Sequence, residues 1–433
     1  MPTLQTPISL YLHIPFCTHR CAYCDFNTYA GQEEMIPAYV DALCNEIDFV
    51  GERFPSPSGR GVRGEGYVHT IFFGGGTPSL LTPKQFESIF KAIRNNFTLT
   101  EDAEITIEAN PGTVTYNNLL ELRRIGINRI SYGVQSANHE ELRMLERAHN
   151  FFDVIEAVTF ARKAGFDRQS KGVNLDLIYG LPEQTLSSWQ NTVQRILNLH
   201  PEHISAYALT LEHGTPFGRW ASKGLLPLPD PDLAAEMYEW LGDTLEANDY
   251  VQYEISNWAK DVKGRMSMVR PSTFDFRPVT PSFACRHNLQ YWRGLPYLAF
   301  GAGAHGYANG YRYSNVLRIK TYIERLTSLD PRKTKIEYPL SPATVNHHKQ
   351  SLQDDMSEFM MTGLRLTQEG IREEEFQSRF GLSLHEVYGK EIDELLKLGL
   401  VENYAGLDSD SPPTFRITKR GRLLGNQVFM QFV

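Results

Sequence analysis

Through the first half of the chain, short apolar runs alternate with stretches of helical period. Ile8 to Ile14 mixes apolar and polar positions only partly and predicts a largely buried strand, which Pro15 ends. His69 to Phe73 predicts a second strand, broken by Gly74-Gly75-Gly76 and then Thr77-Pro78. A helix follows, announced by Thr82 as N-cap, Pro83 at the first helical position and Gln85 three residues after the cap. The alternation recurs. Strands are predicted at Glu104–Glu108, Arg129–Val134, Val173–Tyr179 and His203–Leu211, and helices at Tyr116–Arg124, Glu140–Arg147, Phe152–Ala164 and Ser188–Leu199.

About six strand-helix units in series imply a parallel sheet with right-handed crossovers, either open or closed into a full or partial barrel. In such folds the polar residues at the C-terminal ends of strands are the site candidates. Beyond an amphipathic helix at Asp232–Glu246 the pattern changes. From Ser351 short helices (352–362, 373–380 and 385–398), a polar turn near 403–414 and a strand at 415–418 predict a small winged-helix-like domain. Its Arg416, Lys419, Arg420 and Arg422 make only a thin basic cluster, which favours a structural lid over nucleic-acid binding.

Composition narrows the classes. The 433 residues carry 43 basic and 51 acidic side chains, a formal charge of −8, which argues against a sequence-independent nucleic-acid binder. No run approaches the roughly 18 apolar residues of a membrane span, and Met1 to Arg20 lacks the marks of a signal peptide. A cytoplasmic location is the expectation. The stretch 51–66 is rich in Gly, Pro, Ser and Arg and reads as a solvated surface loop.

Of five cysteines, Cys17, Cys21 and Cys24 fall within eight residues, while Cys44 and Cys285 stand apart. That is metal-ligand spacing rather than a disulfide framework. Three thiolates on one loop can hold three irons of a cubane and leave the fourth open, which is the mark of a reactive site. The alternative is a structural zinc completed by His13 or His19.

With Tyr23 just before the last cysteine, the Cys17-x3-Cys21-x2-Cys24 loop resembles that of the radical S-adenosylmethionine (SAM) proteins. The resemblance implies a [4Fe-4S] cluster whose open iron is chelated by SAM, on a partial (β/α)6 barrel of the TIM type. It extends over nearly the whole chain, through Tyr11-x-His13-Ile14-Pro15-Phe16-Cys17, Phe73 to Ser79, Glu108 to Gly112, Gly133 to Ser136 and Asp176 to Pro182. These segments are similar to the subgroup of oxygen-independent coproporphyrinogen III oxidases and heme chaperones. Carried over segment by segment, the SAM contacts implied are Tyr11, Gly75, Gly76, Thr77, Glu108, Gln135, Arg147 and Asp176.

Two features separate the members of that subgroup. The oxidases carry a further cysteine two residues after the third, where this chain has Phe26. His287-Asn288-Leu289-Gln290-Tyr291-Trp292 matches the HNxxYW signature of the chaperones, which implies His287 as a heme ligand beside an aromatic wall. Cys285 is an alternative thiolate. The expectation is therefore a chaperone that binds heme and a SAM-ligated cluster, passing heme to an acceptor protein, a membrane-bound respiratory one among the candidates. An electron donor for the cluster is implied as well. The rival reading is oxidative decarboxylation of coproporphyrinogen III in porphyrin biosynthesis. The domains expected are a radical SAM partial barrel over 1–260 with a surface insertion at 51–66, then a connecting region over 261–350 that holds an insertion and the heme-type signature, and a winged-helix-like domain over 351–433.

Overall fold

The computed structural model of the chain describes residues 7–55, 67–261, 280–328, 335–404 and 414–433. Most of the two long insertions lies outside them, from 56 to 66 and from 262 to 279. The chain divides into two compact units. One joins Met1–Leu241 to Pro296–Lys349, the other Gly242–Leu295 to Gln350–Val433.

The first unit is the partial barrel. Its strands are β1 (Ile8–Ile14), β2 (Tyr67–Gly75), β3 (Thr98–Ala109), β4 (Arg129–Gln135), β5 (Val173–Tyr179), β6 (His203–Ala208), β7 (Tyr297–Phe300), β8 (His305–Ala308), β9 (Tyr311–Asn315) and β10 (Thr344–Lys349). Across the sheet they run in the order β10-β9-β8-β7-β1-β2-β3-β4-β5-β6. From β7 through β1 to β6 every pair is parallel, whereas β7 to β10 are joined antiparallel. The six expected units are thus present in order, and a late segment of the chain adds four strands on the β1 side. The sequence pattern did not reveal those four because they are short and carry His, Gly and Asn among their apolar positions.

Helices α1 (Ile36–Gly51), α2 (Pro83–Asn96), α3 (Tyr116–Ile125), α4 (His139–Met144), α5 (Phe151–Lys163) and α6 (Leu186–Leu197) alternate with the strands. The expected capping box of α2 forms, with Thr82 and Gln85 satisfying each other's backbone N–H groups. Its buried face lays Phe86 and Phe90 on Phe73 of β2, with ring centroids 5.1 and 5.7 Å apart. On α1 the buried Glu46 gathers four donors, the Gly301 N–H, Asn315 Nδ2, Tyr322 Oη and Ser341 Oγ, and so ties the helix to the late strands. Truncating it would remove an acceptor from all four, of which Asn315 Nδ2 keeps a second, the Gly301 carbonyl at 3.0 Å.

The second unit holds an antiparallel hairpin of Tyr250–Glu254 and Asn257–Lys260 and the helix Arg286–Trp292. Its C-terminal part packs the helices Leu352–Gly363, Glu373–Phe380 and Leu384–Lys397 with a three-stranded antiparallel sheet of Ile371–Arg372, Thr414–Ile417 and Val401–Tyr404. Phe359, Phe376, Ile392, Phe415 and Ile417 form its core. The basic cluster there is engaged internally. Arg416 donates to Glu402 at 2.7 Å and lies over the Tyr404 ring at 3.5 Å.

Candidate metal and cofactor site

The cysteine loop is closed at its base, because Phe16–Cys17 pairs in parallel with Tyr29–Ala30 in a small two-stranded sheet of its own. Cys17 is buried while Cys21 and Cys24 are half-buried, and all three are free thiols. The Thr77 hydroxyl donates to Cys17 Sγ at 3.6 Å, Arg147 Nη1 approaches Cys21 Sγ at 3.3 Å, and Cys24 Sγ lies 3.9 Å from the Thr28 hydroxyl. Burial pushes the Cys17 thiol up to about 11, the neighbouring Cys24 and Cys21 adding to it while the Thr77 hydrogen bond opposes. Burial raises Cys24 as well. Burial thus favours the neutral thiol at both positions, and thiolate ligation of a metal there releases the protons.

Among the described residues no three His, Cys, Asp or Glu side chains are placed to hold one metal ion. A zinc site would need such convergence, whereas a cubane takes one thiolate on each of three irons. The proposed zinc nitrogens are also engaged. His13 Nδ1 meets the Tyr11 hydroxyl at 3.0 Å and its Nε2 meets the Asn27 carbonyl at 2.9 Å, and His19 lies 3.5 Å from Glu146. The donor set fits the cluster and not the zinc.

The strand ends come together beside this loop. Gly76 N–H donates to the Ile14 carbonyl at 2.9 Å and Thr77 N–H to the Phe16 carbonyl at 2.7 Å, so the glycine turn lies against the backbone that leads into Cys17. A Cβ on Gly76 would stand 2.5 Å from the Phe16 carbonyl oxygen, and one on Gly75, whose φ is +110°, would stand 2.5 Å from the His13 ring. Backbone atoms cannot give way as a flexible side chain can. Gly76→Ala is expected to cost about 1–3 kcal/mol of stability and to lower cluster uptake on reconstitution, measured by chemical melting and by bound iron. A variant with wild-type iron and stability would contradict this packing.

Arg147 is the junction of the site. Sequence placed it on a helix, but α4 ends at Met144 and Glu146 takes a left-handed φ of +54°, which turns Arg147 back toward the loop. Its Nη2 donates to the Gly133 carbonyl at 2.6 Å and to Asn110 Oδ1 at 2.5 Å, and Asn110 Nδ2 in turn donates to the Thr77 hydroxyl at 3.0 Å. Its Nε is buried with no hydrogen-bond partner among the described residues. A buried guanidinium N–H left open is costly unless a ligand completes it. Burial works against the charge here, but Tyr23 and Cys21 outweigh it and hold the pKa of Arg147 above its usual value.

Glu108 and Asp176 lie farther round the wall. Glu108 Oε2 accepts the Gly75 N–H at 3.0 Å. Asp176 accepts from Ser131 and from Asn174 Nδ2, both at 2.7 Å. Gln135 takes a left-handed φ of +68° where the β4–β5 register slips, and its amide lies near Gly133. The structure thus brings Tyr11, Gly75, Gly76, Thr77, Glu108, Gln135, Arg147 and Asp176 to one rim with the cysteines. Two members were missed at the level of sequence. Asn110 was visible inside Glu108 to Gly112 but was given no role, and His13 was weighed only as a zinc ligand.

Burial pushes the Glu108 carboxyl up to about 8 from 4.5, the Asp176 charge adding and the Gly75 N–H opposing. The native carboxyl keeps its proton after the unfolded one has lost it, so its contribution is complete below about 4.5, falls as pH rises and is lost by about 8. Glu108→Gln is expected to flatten that part of the stability–pH curve of the cofactor-free chain and to raise its melting temperature at alkaline pH. An unchanged curve would contradict the assignment.

His287 lies in the second unit on the helix Arg286–Trp292. It is 1% exposed, and its Nε2 meets the Tyr291 hydroxyl at 2.7 Å with the rings edge to face. Cys285 is buried at the N-terminus of that helix, its N–H donating to Tyr253 Oη at 3.2 Å. Phe26, by contrast, is 68% exposed.

Comparison with known proteins agrees with this geometry. The Radical SAM superfamily profile matches residues 11–196 and the HemN C-terminal domain profile residues 350–424. The chain is 34% identical to the heme chaperone HemW of Bacillus subtilis, over 98% of this chain and 99% of that one. It is also 34% identical to the heme chaperone HemW of Lactococcus lactis, over 99% and 98%. Among solved structures, the coproporphyrinogen III oxidase of Escherichia coli, described as a radical SAM enzyme, superposes with a TM-score of 0.74 at 24% identity, over 98% of this chain and 90% of that one. That likeness is one of fold.

Proposed function

The chain belongs to the heme chaperone HemW family of radical SAM proteins, and from that premise we propose that it binds heme beside a SAM-ligated [4Fe-4S] cluster and delivers the heme to an acceptor protein. The observation that carries this reading is the likeness to heme chaperones along essentially the whole chain. Phe26 supports it, because the oxidases of the subgroup resemble this chain but carry a cysteine there.

Cys17, Cys21 and Cys24 would hold three irons of the cluster. Bound there together with SAM, such a cluster would supply one-electron reduction chemistry. The roles of the chain's own residues follow from their chemistry. Arg147 offers its open Nε to the SAM carboxylate. Glu108 and Asp176 accept from ribose hydroxyls, the Gly75 to Thr77 backbone and Gln135 meet polar edges, and Tyr11 holds His13 in place against the glycine turn. Thr77 and Asn110 fix the guanidinium relative to Cys17.

We further propose a cytoplasmic location, an electron donor for the cluster and a heme acceptor, a respiratory membrane protein among the candidates. No described helix is long and apolar enough to cross a membrane. For His287 to ligate iron, its hydrogen bond to Tyr291 must first open. The test is transfer: the heme-loaded chain is mixed with an apo heme protein and re-isolated. Heme moving to the acceptor faster than from free heme supports delivery, and heme retained at equal loading contradicts it.

A further inference from the structure

The inner face of the barrel does not stop at the cluster loop. On β1, Ser9, Tyr11 and His13 alternate onto one face, and Ser9 is in register with Tyr297 of β7. Tyr297 pairs with Tyr307 of β8, Tyr307 with Arg312 of β9, and Arg312 with His348 of β10. Directly opposed residues share a face, so this row continues the surface that carries Tyr11. The opposite face carries Tyr313 and is turned toward Glu46 of α1. His305, two residues before Tyr307, also belongs to the inner row.

The chemistry of that row is specific. Arg312 lies over the Tyr307 ring at 4.2 Å and the Tyr297 ring at 5.7 Å and donates to Tyr297 Oη at 2.8 Å, so a cation is fixed on an aromatic floor. His305 and His348 are exposed. Asn27, just past the cysteine loop, donates to the Ala302 carbonyl at 3.0 Å, three residues before His305, which sets this end of β8 near the rim of the cluster site. None of the inner-row positions on β8 to β10 (305, 307, 312, 314, 346 and 348) is acidic. An apolar macrocycle with two carboxylates and a coordinating iron matches an aromatic floor, one fixed guanidinium and an exposed imidazole.

Resting on the heme-chaperone reading above, we propose that heme docks on the inner face of β7 to β10, with His305 as the axial iron ligand and Arg312 paired to a propionate. Diagonal neighbours on adjacent strands lie about 7–8 Å apart. That lets one macrocycle meet both residues. His305 is exposed on this face, whereas His287 is buried against Tyr291.

The experiment is a hemin titration of the full chain, read by the Soret band and by ligand-field spectra, for the wild type and for His305→Ala, Arg312→Ala, His348→Ala and His287→Ala. His347, on the opposite face, supplies the control His347→Ala. His305→Ala is expected to change the Soret position and to weaken binding about tenfold or more, a loss of about 1.4 kcal/mol. Arg312→Ala should weaken binding several-fold with the Soret position kept, and the other three should match the wild type. An unchanged spectrum in His305→Ala, or a changed one in His287→Ala or His348→Ala, overturns the docking face and leaves the chaperone reading standing. A wild type that binds no hemin overturns the chaperone reading itself.

Discussion

Replacing Cys17, Cys21 and Cys24 together by alanine is expected to abolish iron and sulfide uptake on anaerobic reconstitution, where the unsubstituted chain takes up about four of each. Among the described residues no group of three His, Cys, Asp or Glu side chains is placed to take a metal ion in their stead. The loss should be local. Cys21 and Cys24 are only half-buried, and the loop is held at its base by the pairing of Phe16–Cys17 with Tyr29–Ala30. Circular dichroism of the triple variant should therefore match the cofactor-free wild type. Stoichiometric iron in the variant would place the cluster elsewhere.

Arg147→Ala is expected to weaken SAM binding about a hundredfold, or about 2.7 kcal/mol, with cluster iron retained. The argument rests on the guanidinium's separate donors. Nη2 is occupied by Gly133 and Asn110, and Nη1 by Cys21 and Tyr23, which leaves Nε as the buried donor still open. Lysine carries its three N–H donors on a single nitrogen and cannot span partners that the planar guanidinium reaches from three separate nitrogens, so Arg147→Lys should restore little. Titration of SAM against the cluster's spectrum measures it. Wild-type affinity in either variant would remove Arg147 from the site.

The parallel sheet was legible in the sequence because buried strands announce themselves as apolar runs with glycines at their ends. Val173–Tyr179 was read residue for residue, and the capping box at Thr82 fixed where α2 begins. The cysteine loop was legible because its spacing is a direct statement of ligand geometry. Harder to see was anything that depends on the chain returning to itself. The strands 297–300, 305–308, 311–315 and 344–349 take their places beside β1 from nearly 300 residues away, and no local pattern encodes that partner.

The same limit applies to side chains. Arg147 was found through a resemblance, but its departure from the helix depends on the left-handed Glu146. Glu46 lies on the buried face of α1, and its four partners come from residues 301 to 341. At His287 the matching hexapeptide gives a candidate heme ligand, and the helix register sets its ring against Tyr291, one turn on, a contact that no sequence pattern announces.

The most direct test of the account uses one anaerobic preparation carrying a reconstituted cluster. Hemin is titrated into one portion, and a second receives SAM, reductant and coproporphyrinogen III. The expected result is a saturable Soret change in the first and no protoporphyrinogen in the second. Steady decarboxylation without heme binding would contradict the chaperone assignment and make the chain an oxidase.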